Sequence, residues 1–195
     1  MPRIENTMNE MVPLLQFLES QLGQMAGGQI FESPPGREVY VAQYDNQPVT
    51  DAITYVTTGL SRHVLHQLSG PDIRLELLTC TWSSFREASL DSLLFILAQQ
   101  ILDRHHAPAQ GEYIGPAGPV VTGSKLEAFY FMPPLYHPET LEVFSDEPPE
   151  TIIVWALPVA PSEVEFIKNS GWRAFEKELH RVAPDVMDMF RDPIV

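Results

Sequence analysis

One thiol, a few histidines and a run of carboxylates are the groups in this sequence whose types and spacing could do chemistry. Cys80 is the only cysteine. A cysteine becomes a nucleophile when a neighbouring histidine or cation lowers its pKa or accepts its proton. Cys80 follows Leu75, Leu77 and Leu78 in one apolar segment, a setting that predicts a buried, inert thiol. His63 and His66 are three residues apart and could share a helix face. A metal site needs further ligands at fixed geometry, and neither His105, His106 nor Glu87 completes a recognised spacing. The stretch Gly111–Gly123 lacks the Gly-Lys-Ser/Thr ending of a phosphate loop, and Gly59-Leu60-Ser61 lacks the second glycine of a nucleophile elbow. Asp185, Asp188 and Asp192 recur at helical steps, but acid–base work requires a cleft around them. The expectation is therefore no catalytic residue, no metal ligand and no cofactor. A small metal-dependent or Cys/His hydrolase is the alternative.

The acidic segment carries more information. Glu139, Glu142, Asp146, Glu147 and Glu150 fall close together with no Lys or Arg among them, and Pro148-Pro149 stiffens the end of the run. They are the expected partner-binding face, because interfacial charge raises association rates and selects partners. A solvated loop that only aids solubility is the competing reading. Trp82, next to Ser83-Ser84 at the end of an apolar segment, is either an interface anchor or a lid on the edge of the core.

The whole chain has the same bias. It holds 195 residues, with 12 Lys+Arg against 26 Asp+Glu and a net charge of −14. That charge argues against unaided nucleic-acid binding and against anionic membranes, and favours a basic protein partner. With 44% hydrophobic residues the chain can build a core, and one domain is expected. A lone cysteine excludes an intrachain disulfide. The start Met-Pro-Arg-Ile-Glu-Asn is not that of a signal peptide, and the apolar runs Leu93–Ala98 and Ile152–Val159 are too short to span a bilayer. A cytoplasmic protein is expected.

The elements that must position these groups can be read from periodicity. Met8, Met11, Val12, Leu15, Leu18 and Leu22 predict a helix over Met8–Leu22, with Thr7 and Glu10 at capping-box spacing and Gly23 as its stop. Pro13 points to a start nearer that residue. Gly27-Gly28 and Ser33–Gly36 predict a loop, then Glu38–Gln43 and Ala52–Thr58 a pair of strands. Ile73–Thr81 predicts a strand with one buried face, Ile73, Leu75 and Leu77 inward, Arg74 and Glu76 on the opposite side. Ser89 caps a helix from Leu90 to about Asp103. Short strands are expected near Val120–Val121 and Leu126–Met132, and a central strand at Thr151–Leu157. A capping box from Ser162 to Glu165 opens a further helix, and Gly171 separates it from the stripe Trp172, Phe175, Leu179 and Val182. Trp155 and Trp172 read as core. The fold class is α+β, a twisted mixed, largely antiparallel sheet with helices packed on it.

Several of these patches, in order, resemble the suppressor-of-fused domain family. Thr54-Tyr55-Val56-Thr57-Thr58-Gly59-Leu60-Ser61 is similar to the family's aromatic-Val-Thr/Ser-x-Gly-Leu-Ser segment, and Ile73–Leu78 to its following Glu-Leu strand. Ile153–Val159, running into Ser162, Glu165, Gly171 and Phe175, resembles the late strand, its proline and the acidic helix. Asp188–Pro193 resembles the family's acidic-Arg-Pro finish. The resemblance implies a suppressor-of-fused-like domain over 35–195, with 1–34 an N-terminal helix and loop of the same fold. It implies a non-catalytic protein-interaction module. The short length points to the compact bacterial branch, whose members are proposed immunity proteins that neutralise toxin domains. An intracellular scaffold is a further alternative.

Overall fold

The computed structural model describes residues 2–195 apart from Ser69, with side chains from Val12 onward. Helix α1 spans Pro2–Leu22. It runs through Pro13 and does not begin there, and the expected Thr7–Glu10 capping box and the side chains of Met8 and Met11 lie outside the described residues. Strand β1 (Gly27–Ile30) follows, where the glycine pair had predicted a loop; it is an exposed edge strand. Strands β2 (Tyr40–Asp45) and β3 (Ala52–Thr58) pair antiparallel, with Asp45 opposite Ile53. β4 (Arg74–Trp82) pairs antiparallel with β3. Helix α2 (Leu90–Arg104) has the predicted bounds, but Ser89 is left-handed at its start and its hydroxyl makes no cap. Then come β5 (Tyr113–Ile114), β6 (Ala128–Met132), β7 (Val143–Phe144) and β8 (Thr151–Val159). Val120–Val121 is not a strand: its backbone is spent on a tight turn, with the Val120 N–H donating to Leu126 O at 2.8 Å. Helices α3 (Pro161–Ser170) and α4 (Trp172–Val182) close the chain, broken as expected at Gly171.

The eight strands make one open sheet in the order β1-β2-β3-β4-β8-β6-β5, with β7 on the first residues of β8. Among the described residues, every pairing between these strands is antiparallel except one. Arg74–Leu78 of β4 runs parallel to Thr151–Trp155 of β8, so a parallel seam joins two antiparallel blocks. Alternation along the strands feeds two cores. On one face Leu14, Leu18 and Leu22 of α1, and Val164, Ile167, Phe175 and Leu179 of α3 and α4, meet Val56, Leu78, Cys80 and Trp155. On the other, Leu94, Leu97, Ile101 and Leu102 of α2 meet Val41, Ile53, Leu75, Leu77 and Phe131. Both faces of the sheet are covered, so its central strands have no solvent side.

The last residues strap this assembly together. Arg191 lies buried, its guanidinium donating to both carboxylate oxygens of buried Glu163 at 2.7 and 2.9 Å and to Pro158 O at 3.0 Å. Glu163 also accepts the N–H of Ala160 at 2.7 Å and of Ile194 at 3.1 Å. The residue that caps the start of α3 is thus Glu163 and not Glu165. Ser162, the other half of the expected box, hydrogen-bonds Val195 O at 2.8 Å. Removing one member of a buried pair strands the other charge, which typically costs about 3–5 kcal/mol. Arg191→Met should therefore lower the urea unfolding free energy by about that much, and Glu163→Gln with Arg191→Met together, which removes the stranded charge and keeps an acceptor for the backbone, should cost less than Arg191→Met alone. Equal losses would show that the pairing is not what holds the strap.

Candidate functional site

Glu76 is the polar centre of the molecule. The sequence placed it on an outward face of β4; the structure corrects this, because helices cover both sides of the sheet and Glu76 is fully buried. Among the described residues, no cation pairs with it. Its Oε1 accepts the backbone N–H of Gly59 at 2.9 Å, the N–H of Ser61 at 3.0 Å and the Ser61 hydroxyl at 2.7 Å. Its Oε2 accepts the Thr57 hydroxyl at 2.5 Å. The Thr57 oxygen in turn accepts the Leu77 N–H at 2.8 Å. Burial pushes the Glu76 carboxyl up to about 7, against the pull of these hydrogen bonds. Gly59 is required where it stands: its φ is +106°, and a Cβ would lie 2.6 Å from Glu38 O. Thr57, Gly59, Ser61 and Glu76, which belong to two of the sequence patches, therefore form one hydrogen-bonded unit. It fixes the single helical turn Leu60–Arg62.

That turn delivers Ser61, Arg62 and His63 to the wall of a cleft, opposite Asp146 and Glu147. Of the predicted acidic residues, Asp146 and Glu147 line that cleft. Glu139, Asp146, Glu147 and Glu150 are exposed and Glu142 is half-buried. Glu147 meets Arg74 at 3.5 Å, and Glu150 accepts the Ser145 hydroxyl at 2.6 Å. Among the described residues, Glu147 alone of the five has a cation within ion-pair distance. Trp82 lies elsewhere: half-buried, it packs on the core and donates its indole N–H to Asp185 at 2.7 Å. That geometry supports the core-edge reading of Trp82.

The groups with catalytic potential are differently disposed. Cys80 is buried, 3.5 Å from the Thr54 hydroxyl and 3.9 Å from His137 Nε2. Thr54 also lies 3.2 Å from that nitrogen. Burial raises the Cys80 thiol to about 12 and lowers the His137 imidazole to about 4, so the neutral thiol faces a neutral ring, the opposite of an activated pair. No spacing in the sequence joins His137 to Cys80. His66 pairs with Asp72 at 2.8 Å and His106 lies 3.5 Å from Glu112. Among the described residues, no three His, Cys, Asp or Glu side chains gather to hold a metal. Asp185 and Asp188 cap turns, accepting the N–H of Met187 and Phe190, and Asp192 pairs with Lys125.

The family model for suppressor of fused protein (SUFU) matches residues 36–192. The chain belongs to the suppressor-of-fused family. No curated protein matches it. Among solved structures, a suppressor-of-fused homologue from Neisseria gonorrhoeae FA 1090 is similar over 96% of this chain and 98% of its own, at 15% identity and a TM-score of 0.74. The Sufu–Fu complex is similar over 94% of this chain and 91% of that one, at 12% identity and a TM-score of 0.68. Drosophila Suppressor of Fused matches 95% of this chain with 50% of its own, at 14% identity and a TM-score of 0.62. At these identities the suppressor-of-fused likeness is one of fold. Among the described residues, no helix is long and apolar enough to cross a membrane.

Two buried groups should give opposite pH signatures. Glu76 holds its proton more tightly when folded, so its contribution to stability grows as pH falls from about 7 toward its ordinary 4.5. His137 resists protonation when folded, so its contribution is lost as pH falls from its ordinary 6.5 toward about 4. Urea midpoints measured between pH 7.5 and 4.5 should therefore fall more steeply in Glu76→Gln than in wild type, and less steeply in His137→Gln. Parallel profiles for all three proteins would rule out these assignments.

Proposed function

We propose that this chain is a non-catalytic protein-binding module, an immunity protein that neutralises a toxin domain by covering its working surface. Its docking face is the acidic run Glu139, Glu142, Asp146, Glu147 and Glu150, and its partner is basic. The observation that carries the reading is that four of the five are exposed and little paired: Glu147 contacts Arg74, and the other four carboxylates have no cation within ion-pair distance among the described residues. On a chain of net charge −14, such a face attracts a basic surface at long range. Family membership supports a protein partner, since the suppressor-of-fused fold is also that of a chain solved as a Sufu–Fu complex. A neutral buried thiol beside a neutral imidazole fits a binding role better than a nucleophilic one. Residues 1–34 belong to the same unit, as the packing of Leu14, Leu18 and Leu22 into the core suggests, and the protein acts in the cytoplasm. Trp82, tied to Asp185, contributes at most its exposed ring edge to the interface.

The test is co-expression with each candidate toxin domain found encoded beside it, followed by stopped-flow association of the pair that rescues growth. Joint replacement Glu142→Lys, Asp146→Lys and Glu147→Lys should slow association about tenfold or more at low salt, with the difference shrinking as salt is added. Rates unaffected by the triple change would place the interface on another surface. Failure of every candidate toxin to bind would remove the immunity role itself.

A further inference from the structure

The cleft beside the acidic loop has a character of its own. It encloses about 440 Å³, within the range of pockets that take a small ligand or a few peptide residues. Arg62, His63 and Arg74 line one part, and Leu14 and Phe144 give it an apolar part. Asp146 and Glu147 also line it, so on a strongly acidic chain this cleft holds as many arginines as carboxylates. The His63 imidazole is held below its ordinary pKa first by burial, then by the nearby charges of Arg62, Arg37 and His105.

Arg74 is the group with binding capacity to spare. Its side chain is only 25% exposed, and its Nε is buried without a hydrogen-bond partner. Its Nη1 reaches Glu147 only at 3.5 Å, well beyond the roughly 2.7–2.9 Å of a charge-assisted hydrogen bond. Glu147 is itself 71% exposed, so it can leave at little cost. A concave site with a loosely paired guanidinium matches the two oxygens of a carboxylate. The neighbouring Leu14 and Phe144 match an apolar side chain.

We propose that this cleft binds a peptide carboxylate, an Asp or Glu side chain next to an apolar residue, seated on Arg74 in place of Glu147. The site shares Asp146 and Glu147 with the acidic docking face but makes the opposite demand of Glu147. There the carboxylates attract a cationic partner; here Glu147 is a built-in competitor.

Acetyl-Leu-Glu-Leu-amide and acetyl-Leu-Gln-Leu-amide serve as probes, titrated into the full chain and followed by amide and imidazole NMR. The Glu peptide should shift Ser61, His63 and Thr151 saturably and raise the His63 pKa, and the Gln peptide should bind about tenfold or more weakly, the loss expected for one charge-assisted contact. Arg74→Gln should weaken the Glu peptide by a similar factor, and Glu147→Gln should tighten it severalfold. Equal affinity for the two peptides would overturn the proposal. So would a Glu147→Gln variant that binds no better than wild type, a decision that stands even if Arg74→Gln fails to fold. Tightening by Glu147→Gln is opposite in sign to what loss of that charge does to a cationic partner, so this site and the acidic face succeed or fail separately.

Discussion

A carboxylate held by neutral donors, buried at the centre of the sheet, sets the geometry of the rest. Glu76 cannot be solvated, so each of its oxygens must be met by donors from the chain. Gly59 and Ser61 supply backbone N–H groups, and Thr57 and Ser61 supply hydroxyls. To present them, the chain must leave β3 through a left-handed glycine and turn at once. No larger residue fits that path, because the backbone of Glu38 lies against it. The position of Arg62 and His63 at the cleft is thus fixed from the inside, by the hydrogen-bonding needs of a residue that never reaches the surface.

The architecture was largely legible because its elements are strongly periodic. The β2–β3 pair, α2, β8 and the break at Gly171 follow from apolar spacing and from glycine. The misplaced carboxylates share one cause. Glu76 alternates with Leu75 and Leu77 as an outward residue would, since periodicity reports which face a side chain takes and not whether a helix covers that face. The run Leu75–Cys80 held the available signal: a lone carboxylate among uncharged residues, with hydroxyl-rich Thr57–Ser61 shortly before it. In the same way Glu163 and Glu165 are equally good capping candidates by type. Only the buried arrival of Arg191 from the far end of the chain selects Glu163. His137 and Cys80 meet through tertiary folding alone, and no spacing could have announced it. The acidic run was fully legible as sequence, whereas its neighbourhood to Arg74 was not, because that depends on how β4 lies beside β8.

The acidity of the chain therefore divides into two populations that obey different physics. Glu76 and Glu163 are interior groups whose hydrogen bonds hold backbone in place. Glu139, Asp146, Glu147 and Glu150 keep their water and act at a distance, subject to screening by salt. Only the second kind can advertise the protein to another molecule, and only the first kind decides whether there is a shaped surface to advertise.

The parallel seam between β4 and β8 gives the cleft a further property. Ser61 and Arg74 belong to the block of strands on one side of the seam, and Phe144, Glu147 and Thr151 to the block on the other. Anything held there grips both halves of the sheet. Occupancy would be linked thermodynamically to the cohesion of the halves, so that a ligand's affinity reappears as resistance to their separation. The amides of Arg74–Leu78 and Thr151–Trp155, along the seam itself, would register its arrival as slowed exchange with solvent.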